Sequence, residues 1–201
     1  SYKGRGFDRI LIISGDGIDT PSKLLHSKLM ELYEDLSRSE KIAKPEVLKF
    51  DFGQLRTSFY NVYYRDVAYF IRDHLKPANI STELLQISEF GLTLDPGIYQ
   101  ASMEIIRTWQ TFIAGLAGNP LFVSLSTSSG APKIGQKDLI DANIFITSSG
   151  IPQITLPLLR DDLGQLVGVS FSSKRFSDDV LLDFTQQLFP LDSLAIASLP
   201  S

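Results

Sequence analysis

Phe7–Ser14 reads FDRILIIS and stops at Gly15-Asp16-Gly17, a short apolar run bounded by turn residues. That pattern predicts a buried strand. Thr20-Pro21-Ser22 then opens a helix, with an N-cap hydroxyl and a proline at the first position. Leu24, Leu25, Lys28, Leu29, Leu32 and Leu36 follow at helical spacing as far as Arg38. A polar turn over Ser39–Pro45 leads into a second short strand, Glu46–Phe52. Leu55–Leu75 predicts another helix, whose wide apolar face is built from Phe59, Val62, Tyr63, Val67, Tyr69 and Phe70. Ile80–Asp95 is expected to be irregular.

Pro96-Gly97 leads a long helix, Ile98–Leu116, that buries Ile105, Ile106, Trp109, Phe112, Ile113 and Leu116. Gly118-Asn119-Pro120 stops it. Leu121–Leu125 predicts a third strand, and Lys137–Phe145 a short helical or irregular piece. Ile151–Leu159 and Leu166–Phe171 predict two more strands around the polar turn Arg160–Gly164. In them Ile151, Ile154, Leu156, Val167, Val169 and Phe171 alternate toward a shared core. Ser177 caps a last helix, DDVLLDFTQQLF. Strands alternating with helices give an α/β fold with a mixed, mostly parallel sheet flanked by helices. No repeat or long linker divides the chain, so residues 1–201 are expected to form a single domain.

Composition narrows the function classes. Apolar residues make up 43% and charged residues 21%, an ordinary balance for a folded domain. The net charge of −4 is scattered, without the clustered Lys and Arg that nucleic acid requires, so no nucleic-acid partner is expected. No run approaches the ~20 apolar residues that span a bilayer, and SYKGRGFDRI has no signal-peptide core. No membrane association is expected, and the expected location is cytoplasmic. The chain has no cysteine, which excludes thiol chemistry, disulfides and zinc ribbons. With two histidines, His26 and His74, a metal centre would rest mainly on carboxylates.

Few segments carry candidate chemistry. ISGDGIDTPS places a glycine turn before a helix, the setting of a phosphate site. It lacks the Lys-Ser/Thr of a phosphate loop and the three-glycine spacing of a dinucleotide fold, and a plain strand-to-helix turn accounts for it better. Asp16 with Asp19, or Asp161 with Asp162, could pair as general acid and base, but the second pair reads more simply as a solvated turn. His26 on the polar side of one helix and His74 near the end of another read as surface residues. VSLSTSSGAPK, residues 123–133, crowds Ser126, Thr127, Ser128 and Ser129 against Gly130. A nucleophile there needs a base and an oxyanion site, and the esterase elbow G-x-S-x-G is absent.

The tail places that loop. GIPQITLPLLRDDLGQLVGVSFSSKRFSDDVLLDFTQQLF, Gly150–Phe189, resembles the C-terminal part of amidase signature proteins. In register with that family's pattern are Gly150, Ile151, Pro152, Ile154, Pro157, Gly164, Val167, Gly168, Leu181 and Leu182. LFVSLSTSSGAPKIG, the helix IYQASMEIIRTWQTFIAG before it, and FDRILIIS with its helix are similar to upstream parts of the same half. Thr147 stands where Asn is usual, Leu166 where Pro is, Ser170 where Gln is, and Ser173 where Gly is.

The resemblance implies that VSLSTSSGAP ends a structural strand. Family members work through a Ser–cis-Ser–Lys triad in their N-terminal half, and no position here matches it. No catalytic, cofactor-binding or metal-binding residue is therefore assigned, and no cofactor is expected. The implied function is a non-catalytic amidase-like domain acting in binding or assembly. The alternative is the C-terminal portion of an active amidase whose catalytic half is missing from this chain. Either implies a homo-oligomer or a partner chain that supplies the missing half.

Overall fold

The computed structural model of the chain describes residues 6–13, 22–39, 45–75, 80–127, 130 and 141–189. Two apolar strands begin the description of the sheet. β1 (Arg9–Ile13) and β3 (Pro120–Leu125) pair in parallel, Arg9 beside Pro120 and Ile12 beside Val123. β2 (Glu46–Leu48) adds in parallel on the far side of β1. β4 (Gln153–Arg160) and β5 (Leu166–Ser172) form an antiparallel hairpin, and β5 docks antiparallel against β3. The strand order is β2-β1-β3-β5-β4. β5 alone runs against the other four, so the sheet is mixed and mostly parallel.

Every residue of β3 is buried because both faces of the sheet are covered. On the first face, α1 (Lys23–Ser39) brings Leu25, Leu29, Tyr33 and Leu36 onto Ile10, Ile12, Val123 and Val169. α6 (Asp178–Leu188) adds Leu181 and Phe184, the latter edge-on to Phe7 with centroids 4.9 Å apart. On the second face, Leu11, Ile13 and Phe122 meet α2 (Phe52–His74), α4 (Pro96–Gly115) and α5 (Asp141–Ser149). Trp109 of α4 is fully buried there, and its indole N–H donates to the Phe145 carbonyl at 2.8 Å.

Several boundaries differ from the sequence expectations. The second strand ends at Leu48, since Asp51 caps α2 by accepting from the Gln54 N–H at 2.9 Å. At the start of α1 Ser22 accepts from the Leu25 N–H at 3.3 Å. Thr20, Pro21 and the Gly15–Gly17 turn lie outside the described residues, as do positions 131–140. Over the rest of Lys137–Phe145 the chain is helical from Asp141 and stays so to Ser149. Ser177 stands at the start of α6 without capping it, its hydroxyl donating instead to the Lys174 carbonyl at 2.8 Å.

The irregular segment expected over Ile80–Asp95 is a helix, α3 (Thr82–Thr93), capped by Ser81 through the Leu84 N–H at 3.3 Å. Its buried positions are Ser88 and Gly91, small residues that let it lie directly on α2. A Cβ on Gly91 would stand 2.1 Å from the Tyr64 carbonyl oxygen. Hydrophobic spacing misses such a helix, because its most buried positions are Ser88 and Gly91 and not large apolar residues.

Candidate functional site

Side chains alternate across a strand, so each strand offers one set of residues to each face of the sheet. Toward the first face β5 sends Val167, Val169 and Phe171, all fully buried. Toward the second it sends Gly168, Ser170 and Ser172. Its neighbour β3 places Phe122 and Ser124 on that same side, in register with Ser172 and Ser170. β4 contributes Gln153 and Thr155, paired with Ser172 and Ser170. The second face is thus apolar over β1 and the start of β3, and hydroxyl-lined over the rest of β3, β5 and β4.

The Gln153 amide organises this polar face. Its Nε2 donates to Asn143 Oδ1 at 2.9 Å, Ser170 Oγ at 2.8 Å and Thr155 Oγ1 at 3.1 Å. Thr155 and Ser170 share a further hydrogen bond of 2.9 Å between their hydroxyls. Asn143, from α5, extends the network by donating Nδ2 to the Ser126 carbonyl at 2.9 Å. The network thereby ties the end of β3 to α5 and to the β4–β5 hairpin. Gly168 is required beside it, since a Cβ would stand 2.4 Å from Ser126 Oγ and 2.6 Å from Thr155 Cγ2. The buried hydroxyls of Ser124 and Ser172 have no hydrogen-bond partner among the described residues. Such a group costs about 1–3 kcal/mol when left unsatisfied.

A second anchor fixes the loop after β3 from the hairpin turn. Asp161 Oδ2 accepts from the Gly130 N–H at 3.0 Å, while Oδ1 accepts from the Leu163 and Gln165 N–H groups at 2.9 Å each. Partial burial raises its pKa, but the three N–H donors and nearby Lys28 outweigh that and hold the carboxyl below the usual range. Asp161 is therefore a turn residue, as its sequence context indicates, and it also positions Gly130. Asp162 is exposed in the same turn.

The hydroxyl groups of this face that are buried, Ser124, Ser170 and Ser172, have no activating base beside them among the described residues. Activation requires a base within hydrogen-bond reach. The side-chain partners of Ser170 are an amide and a hydroxyl, neither of which takes up its proton. His26 and His74 are exposed, and the His74 ring lies 5.0 Å from Phe70 at the end of α2. Ser126 and Thr127 are half-buried, while Ser128, Ser129, Asp16 and Asp19 lie outside the described residues. Among the described residues no group of His, Asp or Glu is arranged to hold a metal ion.

Ser170 stands out in the sequence as a departure from the family pattern, whereas Gln153, Thr155 and Asn143 were not singled out. The signal available was polar residues recurring at every second position of strands that are otherwise apolar.

No protein-family model matches the chain, and no curated protein matches it. Solved structures do. The chain is similar to an amidase at 14% identity and a TM-score of 0.73, over 92% of its own length and 46% of the amidase chain. A bacterial aryl acylamidase of the amidase signature enzymes matches at 13% identity and a TM-score of 0.69, over 96% and 46%. The fold is that of the amidase signature enzymes. A vestigial protein complex bearing on the origins of an s-triazine catabolic enzyme matches at 12% identity and a TM-score of 0.72, over 90% and 43%.

This chain therefore spans less than half of each of those three chains. Within that fold the Gly150–Phe189 stretch is the strand, turn, strand and helix that its resemblance implied. Gly150 in that stretch has a φ of 66°, a left-handed conformation that glycine adopts without strain. No described helix is long and apolar enough to cross a membrane.

Proposed function

We propose that this chain is an amidase-like unit, corresponding to the C-terminal half of the family fold, that acts in binding or assembly and is not catalytic by itself. The observation that carries the reading is the extent of the likeness. Nearly all of this chain, 92%, superposes on 46% of an amidase. The hydrogen-bond network of Gln153, Thr155, Ser170 and Asn143 supports it, since those side chains hold secondary structure together. On this reading the unit joins a second copy of itself or a partner chain that supplies the other half of the fold. The vestigial complex among the similar structures supports an assembly role.

The same coverage favours a second reading, in which the unit is the C-terminal portion of an active amidase whose catalytic groups lie on another stretch of polypeptide. Incubation of the chain with anilide and p-nitrophenyl ester substrates and with a fluorophosphonate probe tests the proposal. No turnover and no labelled serine are expected. Turnover abolished by one Ser→Ala change, or stoichiometric labelling of Ser126, Ser128 or Ser129, would refute it.

A further inference from the structure

Lys174 and Arg175 lie just beyond β5, after Ser173, and flank a pocket of about 200 Å³. Ile113, Ala114 and Ile151 give it apolar walls, and Gln110 adds an amide. Lys174 donates to the Leu116 carbonyl that caps α4. Arg175 Nη2 donates to the Ser149 carbonyl at the end of α5, at 3.0 Å. Both carbonyls lie at helix C-termini, where the helix dipole favours a cation. These bonds fix the two side chains but use one donor of each, out of three on an ammonium and five on a guanidinium.

Neither cation has a carboxylate partner among the described residues, whose ion pairs involve other arginines. Two features of the backbone belong to this arrangement. A Cβ on Gly150 would stand 2.7 Å from Arg175 Nη2, so the guanidinium lies against a glycine. Phe176, next in the chain, holds a φ of 64° with its ring 98% exposed, an uncommon backbone for a bulky residue. The pocket stands at the end of β5, beside the start of β3. The loop positioned by Asp161 stands at the opposite end of β3.

We infer that this pocket binds a small organic monoanion, an aromatic or short aliphatic carboxylate. Its carboxylate sits on Lys174 and Arg175, and its hydrocarbon part rests against Ile113, Ala114 and Ile151. The size fits, since a cavity of about 150 Å³ accepts a benzene ring. Two fixed cations without a counter-charge among the described residues supply charge-assisted hydrogen bonds, and the guanidinium can engage a carboxylate through two N–H groups. The inference does not depend on whether the chain is catalytic.

Isothermal titration of the full chain with benzoate, benzamide and inorganic phosphate tests it. Benzoate is expected to bind at one site. Benzamide, of the same shape without the charge, should bind at least ~10-fold more weakly. Lys174→Gln and Arg175→Gln should each weaken benzoate by ~10-fold, and Arg175→Lys should restore part of the loss. Arg107→Gln, on the exposed side of α4, should leave binding unchanged. Arg175→Gln also frees the Ser149 carbonyl, so the salt dependence of benzoate binding to the unaltered chain serves as a measurement that needs no variant. Affinity should fall as chloride rises. Absence of benzoate binding, equal binding of benzamide, phosphate binding as tightly as benzoate, or indifference to salt would each overturn the inference.

Discussion

Tyr33 ties the first helix to the centre of the sheet, and its chemistry sets a pH limit. The side chain is fully buried, and its hydroxyl donates to the Val123 carbonyl at 3.2 Å. Burial pushes its ionisation far above the ordinary phenol range. A raised folded-state pKa gives stability that is complete while the unfolded phenol stays neutral, below pH about 10. As pH rises above that value, the unfolded chain loses the proton while the folded chain keeps it. Stability should then fall by about 1.4 kcal/mol per pH unit. Tyr33→Phe should cost about 1–2 kcal/mol at neutral pH through the lost hydrogen bond, and flatten the alkaline decline. The flattening is partial, since burial and the Asp66 carboxylate shift Tyr99 in the same direction. Urea unfolding between neutral and strongly alkaline pH measures both effects. An unchanged alkaline slope in the Phe variant would rule out Tyr33 as its source.

Among the elements, β4 and β5 look alike in sequence and differ in energy. Val167, Val169 and Phe171 of β5 are fully buried between β3 and β4, whereas Ile154 and Leu156 of the edge strand β4 are half-buried. Val169→Ala should therefore cost about 2–3 kcal/mol and Ile154→Ala only about 1–2 kcal/mol. Denaturant midpoints of the two variants check the order, and a costlier Ile154→Ala would mean that β4 is covered in solution. Ile151, expected in the same core, precedes β4 and packs against the core of the other face. The alternation from Ile154 onward was legible because both strands carry apolar residues at every second position. The difference was not, because strand order decides burial and residue spacing does not encode it. α3 was illegible for another reason, since its buried positions are the small residues Ser88 and Gly91, while Phe90, which packs edge-on to Tyr64 of α2, stays half exposed. The polar site was hidden in the same way. Thr155 meets Ser170 only through the hairpin register, and Asn143 reaches Gln153 only once α5 has docked.

At the scale of the whole molecule, α2 and α3 present aromatic surface that the sheet does not use. Phe70 is 57% exposed and Phe90 51%, and Tyr63 and Tyr69 are exposed beside them on α2. Exposed aromatic surface favours association, and this surface is the one expected to mediate it. Sedimentation velocity over a wide concentration range is expected to show self-association, weakened by Phe70→Ser together with Phe90→Ser. A monomer at every concentration would refute this. The parallel pairing of β1 with β3 has a kinetic consequence as well. Arg9 finds its neighbour Pro120 on the order of a hundred residues later in the chain, which ribosomes need roughly 5–20 seconds to make. Over that interval the apolar side chains of β1 and α1 have no central strand to cover them. A nascent chain in that state is a client for chaperones, and closing so long a loop before any reward makes its folding slow.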